Sequence, residues 1–165
     1  MANPSPMWLR FMNKETSSLE LLVSFSKSSD TKTAAAAEKA LKETPPDLEP
    51  FRKELEEAVN DMITEGLGEE FKAFVNHYMN SLEEDLQVQS TPRGENRSQI
   101  ARVKDEDGPW IQGFICYNLC LYIKTFGLED VKKCRVCGKI FAHKGKYATY
   151  CSDACKSKKG AVKND

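Results

Sequence analysis

Between residues 48 and 63 the apolar positions Leu48, Phe51, Leu55, Val59, Met62 and Ile63 recur at helical spacing. Asp47 is placed to cap this helix, Pro50 is tolerated in its first turn, and Gly66-Leu67-Gly68 ends it. Phe71, Phe74, Val75, Tyr78, Leu82 and Leu86 then mark a second amphipathic helix. Upstream, Ser17-Ser18-Leu19-Glu20 has the form of a capping box, and the apolar positions there are Leu19, Leu22, Val23 and Phe25. A short helix is expected there, although the run Leu-Glu-Leu-Leu-Val-Ser-Phe also suits a strand. Ala34 to Lys42 consists of good helix formers and stops before Pro45-Pro46.

Farther on the period changes. Leu86 to Ser90 and Gln99 to Lys104 alternate weakly on either side of a polar segment, which predicts a β-hairpin. Asp107-Gly108-Pro109 starts the best-buried helix, with Ile111, Phe114, Ile115, Leu119, Tyr122, Ile123 and Phe126 as its apolar set and Gly127 as its stop. Its most apolar run, Trp110 to Phe126, is interrupted by Gln112, Asn118 and Lys124 and falls short of the roughly 20 residues a membrane span needs. Leu128 to Lys133 reads as a link. The body is mainly α, with one small β-hairpin.

Beyond residue 130 the pattern is set by cysteines. Cys134 and Cys137 frame a C-x2-C that runs into Gly138, and Cys151 and Cys155 frame a C-x3-C, with 13 residues between the pairs. Four thiolates suit one tetrahedral, structural Zn²⁺ per chain, and they leave no open position for catalysis. A segment this small cannot bury enough apolar surface to fold alone, so metal supplies much of its folding free energy. Lys139-Ile140-Phe141 and Tyr147 to Tyr150 are expected to be the arms of a hairpin, with Lys144-Gly145-Lys146 near the turn. Ser152 is placed to cap a short helix that carries Cys155. A knuckle, a hairpin and a helix bearing the last ligand make a treble clef; a zinc ribbon, with two knuckles, is the competing geometry. The chain thus divides into a helical domain, 1–130, and a four-cysteine zinc finger with a basic tail, 131–165.

These residues resemble a group of bacterial proteins that carry a C-terminal treble-clef finger after a helical domain, akin to the CGNR-type zinc-finger group. The shared pattern is an apolar helix, then Lys-Lys-Cys134-x-x-Cys137-Gly138-x-x-Phe141, then Tyr150-Cys151-Ser152-x-x-Cys155. It covers about 45 residues, and the tetrapeptide that names the group is replaced here by Cys155-Lys156-Ser157-Lys158. The resemblance implies transcriptional regulation.

Charge sharpens the functional reading. The net charge of −1 conceals 14 Lys/Arg against 23 Asp/Glu in residues 1–130, and 10 against 2 in residues 131–165. A finger at +8 on a body at −9 is built to meet an anion or to dock on its own body. The candidate nucleic-acid contacts are Lys139, Lys144, Lys146, Lys156, Lys158 and Lys159, with Tyr147 and Tyr150 among them. A solvated, solubilising surface accounts for the same lysines equally well.

Cys116 and Cys120 on the apolar helix read as buried core thiols, and His143 as a surface residue. Gly66-x-Gly68 lacks the strand and the Gly-Lys-Ser/Thr of a nucleotide loop. The N-terminus lacks the basic start and apolar stretch of a secretory leader, and the clustered cysteines suit a reducing compartment, so a cytoplasmic protein without a membrane partner is expected. The expected function is non-enzymatic: DNA or RNA binding through the finger, with the helical body forming a dimer or sensing a signal. The alternative is a protein-interaction module whose finger binds no nucleic acid.

Overall fold

The computed structural model describes residues 5–91, 94–143 and 147–158, with the backbone alone over 85–91 and 94–99. Its architecture is mainly helical. Helices α1 (Met7–Met12), α2 (Ser18–Ser26), α3 (Thr31–Lys42), α4 (Glu49–Glu65) and α5 (Glu69–Met79) lead into a hairpin of β1 (Leu82–Thr91) and β2 (Gly94–Val103). Helix α6 (Trp110–Phe126), a 3-10 turn (Leu128–Asp130), strands β3 (Val131–Lys133) and β4 (Ile140–Ala142) and helix α7 (Asp153–Lys158) follow. Among the described residues no helix is long and apolar enough to cross a membrane.

Local sequence explains most of these starts and stops. Ser17 accepts the Glu20 N–H at 3.2 Å while Glu20 accepts the Ser17 N–H at 2.7 Å, so the capping box is complete and the segment is helix rather than strand. Helix α3 begins three residues before the alanine run, because the Asp30 carboxylate accepts both the Thr33 N–H and the Thr33 hydroxyl. Asp47 accepts the Glu49 N–H at 3.0 Å from one position before the helix cap, Leu48, and Pro50 lies in the first turn.

Helix α6 is the centre of the core. Its Trp110, Ile111, Ile115, Cys116 and Leu119 are buried, together with Leu55, Val59 and Met62 of α4 and Val75 of α5. Gly113 lets α5 and α6 cross closely: a Cβ at this position would lie 2.6 Å from the Tyr78 carbonyl oxygen. The base of the hairpin reaches the same core through Leu82, Ala101 and Val103.

Three differences from the sequence expectation matter. The second amphipathic helix stops at Met79, and Leu82 lies in β1; the side chain of Leu86 lies outside the described residues. A spacing of four keeps residues on one face of a strand as well as of a helix, so periodicity alone could not separate the two. The buried Ser81 ends the ambiguity, because its carbonyl accepts the N–H groups of Lys104 and Asp105 at 2.8 and 3.2 Å and closes the hairpin base. The hairpin itself is present and longer than expected, pairing Leu82 with Val103 through to Thr91 with Gly94.

The second difference is in the finger. β4 pairs with β3, Val131 to Ala142 and Lys133 to Ile140, rather than with Tyr147 to Tyr150. The 128–133 link is therefore half of a hairpin whose turn is the C-x2-C knuckle. Val131 and Ile140 are both buried in the main core, so apolar packing on the body, more than strand length, selects this pairing. The expected turn at Lys144-Gly145-Lys146 lies outside the described residues.

The third difference is α1, which the periodicities did not single out. Six residues are too few for a helix to hold in water, but Trp8, Leu9, Phe11 and Met12 are all buried. Side chains of this kind contribute about 1.5–3 kcal/mol each on burial, which outweighs the weak local propensity. Trp8 packs edge-on to Tyr122 and Phe11 lies against Phe51, so α1 joins α6 to α4.

Candidate metal centre

The knuckle is built by the backbone. Cys134 N–H donates to the Lys139 carbonyl at 2.8 Å, and Gly138 N–H donates to the Cys134 carbonyl at 2.9 Å. Gly138 has φ +72°, a left-handed conformation that a side chain disfavours, and this reversal returns the chain into β4. On the other side, Ser152 accepts the Cys155 N–H at 3.3 Å and starts α7, while Arg135 N–H donates to the Thr149 carbonyl at 3.2 Å and ties the second loop to the knuckle. A knuckle facing a helix that carries the last ligand is a treble-clef-like arrangement, not a ribbon with two knuckles.

This framework brings together the four cysteines that the sequence selected. The sulfurs of Cys134, Cys137, Cys151 and Cys155 all lie within 4.8 Å of one another. Cys137 and Cys151 are 3.5 Å apart, Cys151 and Cys155 3.7 Å. Sulfurs at about 2.3 Å from a tetrahedral ion would be about 3.8 Å apart, close to these separations, whereas a disulfide needs about 2.05 Å. All four are free thiols. Cys134 is buried, Cys151 and Cys155 are half-buried, and Cys137 is exposed. The four can hold a metal ion.

Their surroundings prepare the site unequally. Burial opposes ionisation of Cys134, but the backbone N–H groups of Cys137, Cys151 and Val136 together bring its thiol down to about 6. Burial, followed by contacts with the thiols of Cys137, Cys155 and Cys134, pushes Cys151 up to about 12. Cys134 is thus the readier of the two to ionise and Cys151 the more reluctant. Lys139 is held charged first by its bond to Glu15 at 2.8 Å, and also by the nearby sulfurs of Cys151 and Cys137.

The other sequence candidates divide. Lys156 and Lys158 are exposed on α7 beside Cys155. Lys139 faces Glu15 and the sulfur cluster instead of open solvent alone. Lys144, Lys146 and Lys159 lie outside the described residues. His143 is exposed, and its backbone N–H donates to the Asp130 carbonyl at 2.9 Å. Cys116 and Cys120 lie on α6, where burial raises both thiols and keeps them neutral.

Sequence reasoning missed the residues that seat the finger on the body. Asn13 donates its side-chain N–H to the Ile140 carbonyl at 3.1 Å, Glu15 pairs with Lys139, and Lys133 donates to Asn60 Oδ1 at 3.0 Å. These contacts join segments 73 to 127 residues apart and have no local signature.

Fold and site together define a mainly helical protein with a C-terminal, treble-clef-like four-cysteine metal site. No protein-family model matches the chain, and no curated protein is similar to it.

Proposed function

We propose that this is a zinc-binding, non-enzymatic protein that contacts nucleic acid through its finger in a regulatory role. Zinc is supported by the all-sulfur donor set and by four sulfurs gathered within 4.8 Å of one another. Its role is structural, since four protein ligands complete its coordination. The observation that carries the nucleic-acid reading is the placement of exposed Lys156 and Lys158 on the ligand-bearing helix, so that metal binding orients cations. Exposed Arg135 and Tyr147, which is 92% exposed, lie on the same metal-bound segment and suit contact with phosphates and bases.

One observation favours a second reading, in which the finger is a protein-interaction module. Two of its cations, Lys133 and Lys139, are engaged by Asn60 and Glu15 of the protein's own body. Salt dependence separates the two. With about 4–6 phosphate contacts, the affinity of the full-length, zinc-loaded chain for duplex DNA falls with salt at a log–log slope near −4 to −5. Replacing Lys156, Lys158 and Lys159 by Gln flattens that slope by up to about 3 without releasing zinc. Absence of binding to DNA or RNA at low salt would overturn this reading and leave the interaction module.

A further inference from the structure

The turn after α1 ends in an unusual way for its sequence. Lys14 N–H donates to the Phe11 carbonyl at 3.0 Å and Glu15 N–H to the Arg10 carbonyl at 2.7 Å, the paired bonds of a Schellman helix end. That motif needs a left-handed residue at its centre and usually takes glycine. Here the position is Lys14, at φ +59°, and it is the one non-glycine residue with positive φ among those described. A side chain in this conformation is strained and persists only where its surroundings hold it.

Helix α4 supplies part of the hold, through the Lys14–Glu49 ion pair at 3.7 Å and the Arg52 N–H on the Met12 carbonyl at 3.4 Å, and the finger grips the two residues that flank Lys14. Asn13, on one side of Lys14, donates to the Ile140 carbonyl of β4 at 3.1 Å. Glu15, on the other side, pairs with Lys139, the residue leading into β4, at 2.8 Å. β3 and β4 share only three residue pairs, and their turn is the knuckle that carries Cys134 and Cys137. Burial of Val131 and Ile140 in the core selects which strands pair, but so short a two-stranded ribbon does not fix its knuckle end alone. Metal at the four sulfurs would brace this backbone-built knuckle and, through it, Lys139 and Ile140, which contact the residues on either side of Lys14.

We propose that the metal centre acts as a latch on the Asn13–Glu15 turn: loaded, it holds Lys14 in the left-handed conformation, and emptied, it lets the turn open. Helix α1 stays docked in either state through Trp8, Leu9 and Phe11, which are buried, with Trp8 against Tyr122 of α6 and Phe11 against Phe51 of α4. The change is confined to a part of the surface next to α4. It reshapes the groove of about 510 Å³ that Lys14, Glu15, Thr16 and Ser17 line together with Asp47 and Arg52. Metal occupancy would then be legible on the body as well as on the finger.

The latch rests on the metal-binding reading and is independent of the nucleic-acid reading. Zinc stoichiometry is therefore measured first, by elemental analysis of the same full-length sample: absence of metal there fails the metal reading itself. Amide-resolved hydrogen exchange of the loaded and the chelator-treated chain then tests the latch. The Lys14 and Glu15 amides are expected to exchange at least about tenfold faster without metal, while those of Ile115 and Leu119 in α6 keep their protection. In Lys14→Gly, where the left-handed conformation carries no side-chain strain, the metal dependence should shrink to below about threefold. Unchanged exchange at Lys14 and Glu15 on metal removal would overturn the latch. So would equal loss of protection in α6, or a Lys14→Gly chain as metal-dependent as the parent.

Discussion

Cys134 and Cys151 face each other across the same site with opposed proton affinities, one brought down to about 6 and the other pushed up to about 12. Every proton still bound must leave before metal enters, so acid competes with metal. Above pH about 6 Cys134 is a thiolate and adds nothing to that competition; below it, Cys134 takes up a proton as well. Apparent metal affinity is therefore expected to fall as pH decreases, with the slope of log affinity against pH steepening by about one unit below about pH 6. Competition against a chromophoric chelator across the pH range measures this. A slope that stays constant through pH 6 would show that the N–H groups around Cys134 do not hold it as a thiolate.

At the scale of elements, the crossing of α5 and α6 depends on one missing side chain. A methyl group at Gly113 would press on the Tyr78 carbonyl at 2.6 Å, and backbone cannot swing aside as a flexible side chain does. Gly113→Ala improves helix propensity but forces the two helices apart, and overpacking of this kind costs about 1–3 kcal/mol. A lower urea midpoint with the fold retained is the expected result. A midpoint raised above the parent's would mean that propensity outweighs the clash and that α5 gives way easily. Elements of the finger follow a different rule. β3, β4 and α7 are too short to stand on propensity, and they take their positions from the core and the metal site.

For the whole molecule, the question is how far the finger and body depend on each other. Leu55, Val59 and Met62 of α4 and Ile115 and Leu119 of α6 are fully buried in the main core. Val131 and Ile140 of the finger extend that core at one edge. Cys155→Ala is expected to lose metal and disorder α7 and the second ligand loop, while most of the far-ultraviolet circular dichroism of the body survives. Loss of nearly all helical signal would show that body and finger form one cooperative unit.

Helical periods over 48–63 and 110–126, the capping box at Ser17 and the two cysteine pairs that can hold a metal, Cys134 with Cys137 and Cys151 with Cys155, were all legible along the chain, because each is specified by neighbours a few residues apart. The end of α5 was not, since Tyr78 and Leu82 share a face in helix and strand alike. Nor was the hairpin partner of β4, which burial of Val131 and Ile140 selects. The grip of Asn13 and Glu15 on β4 spans more than 120 residues. Local pattern sets what each segment can become and which side chains can bind metal; which segments meet is decided by filling one core, and that is a property of the folded chain.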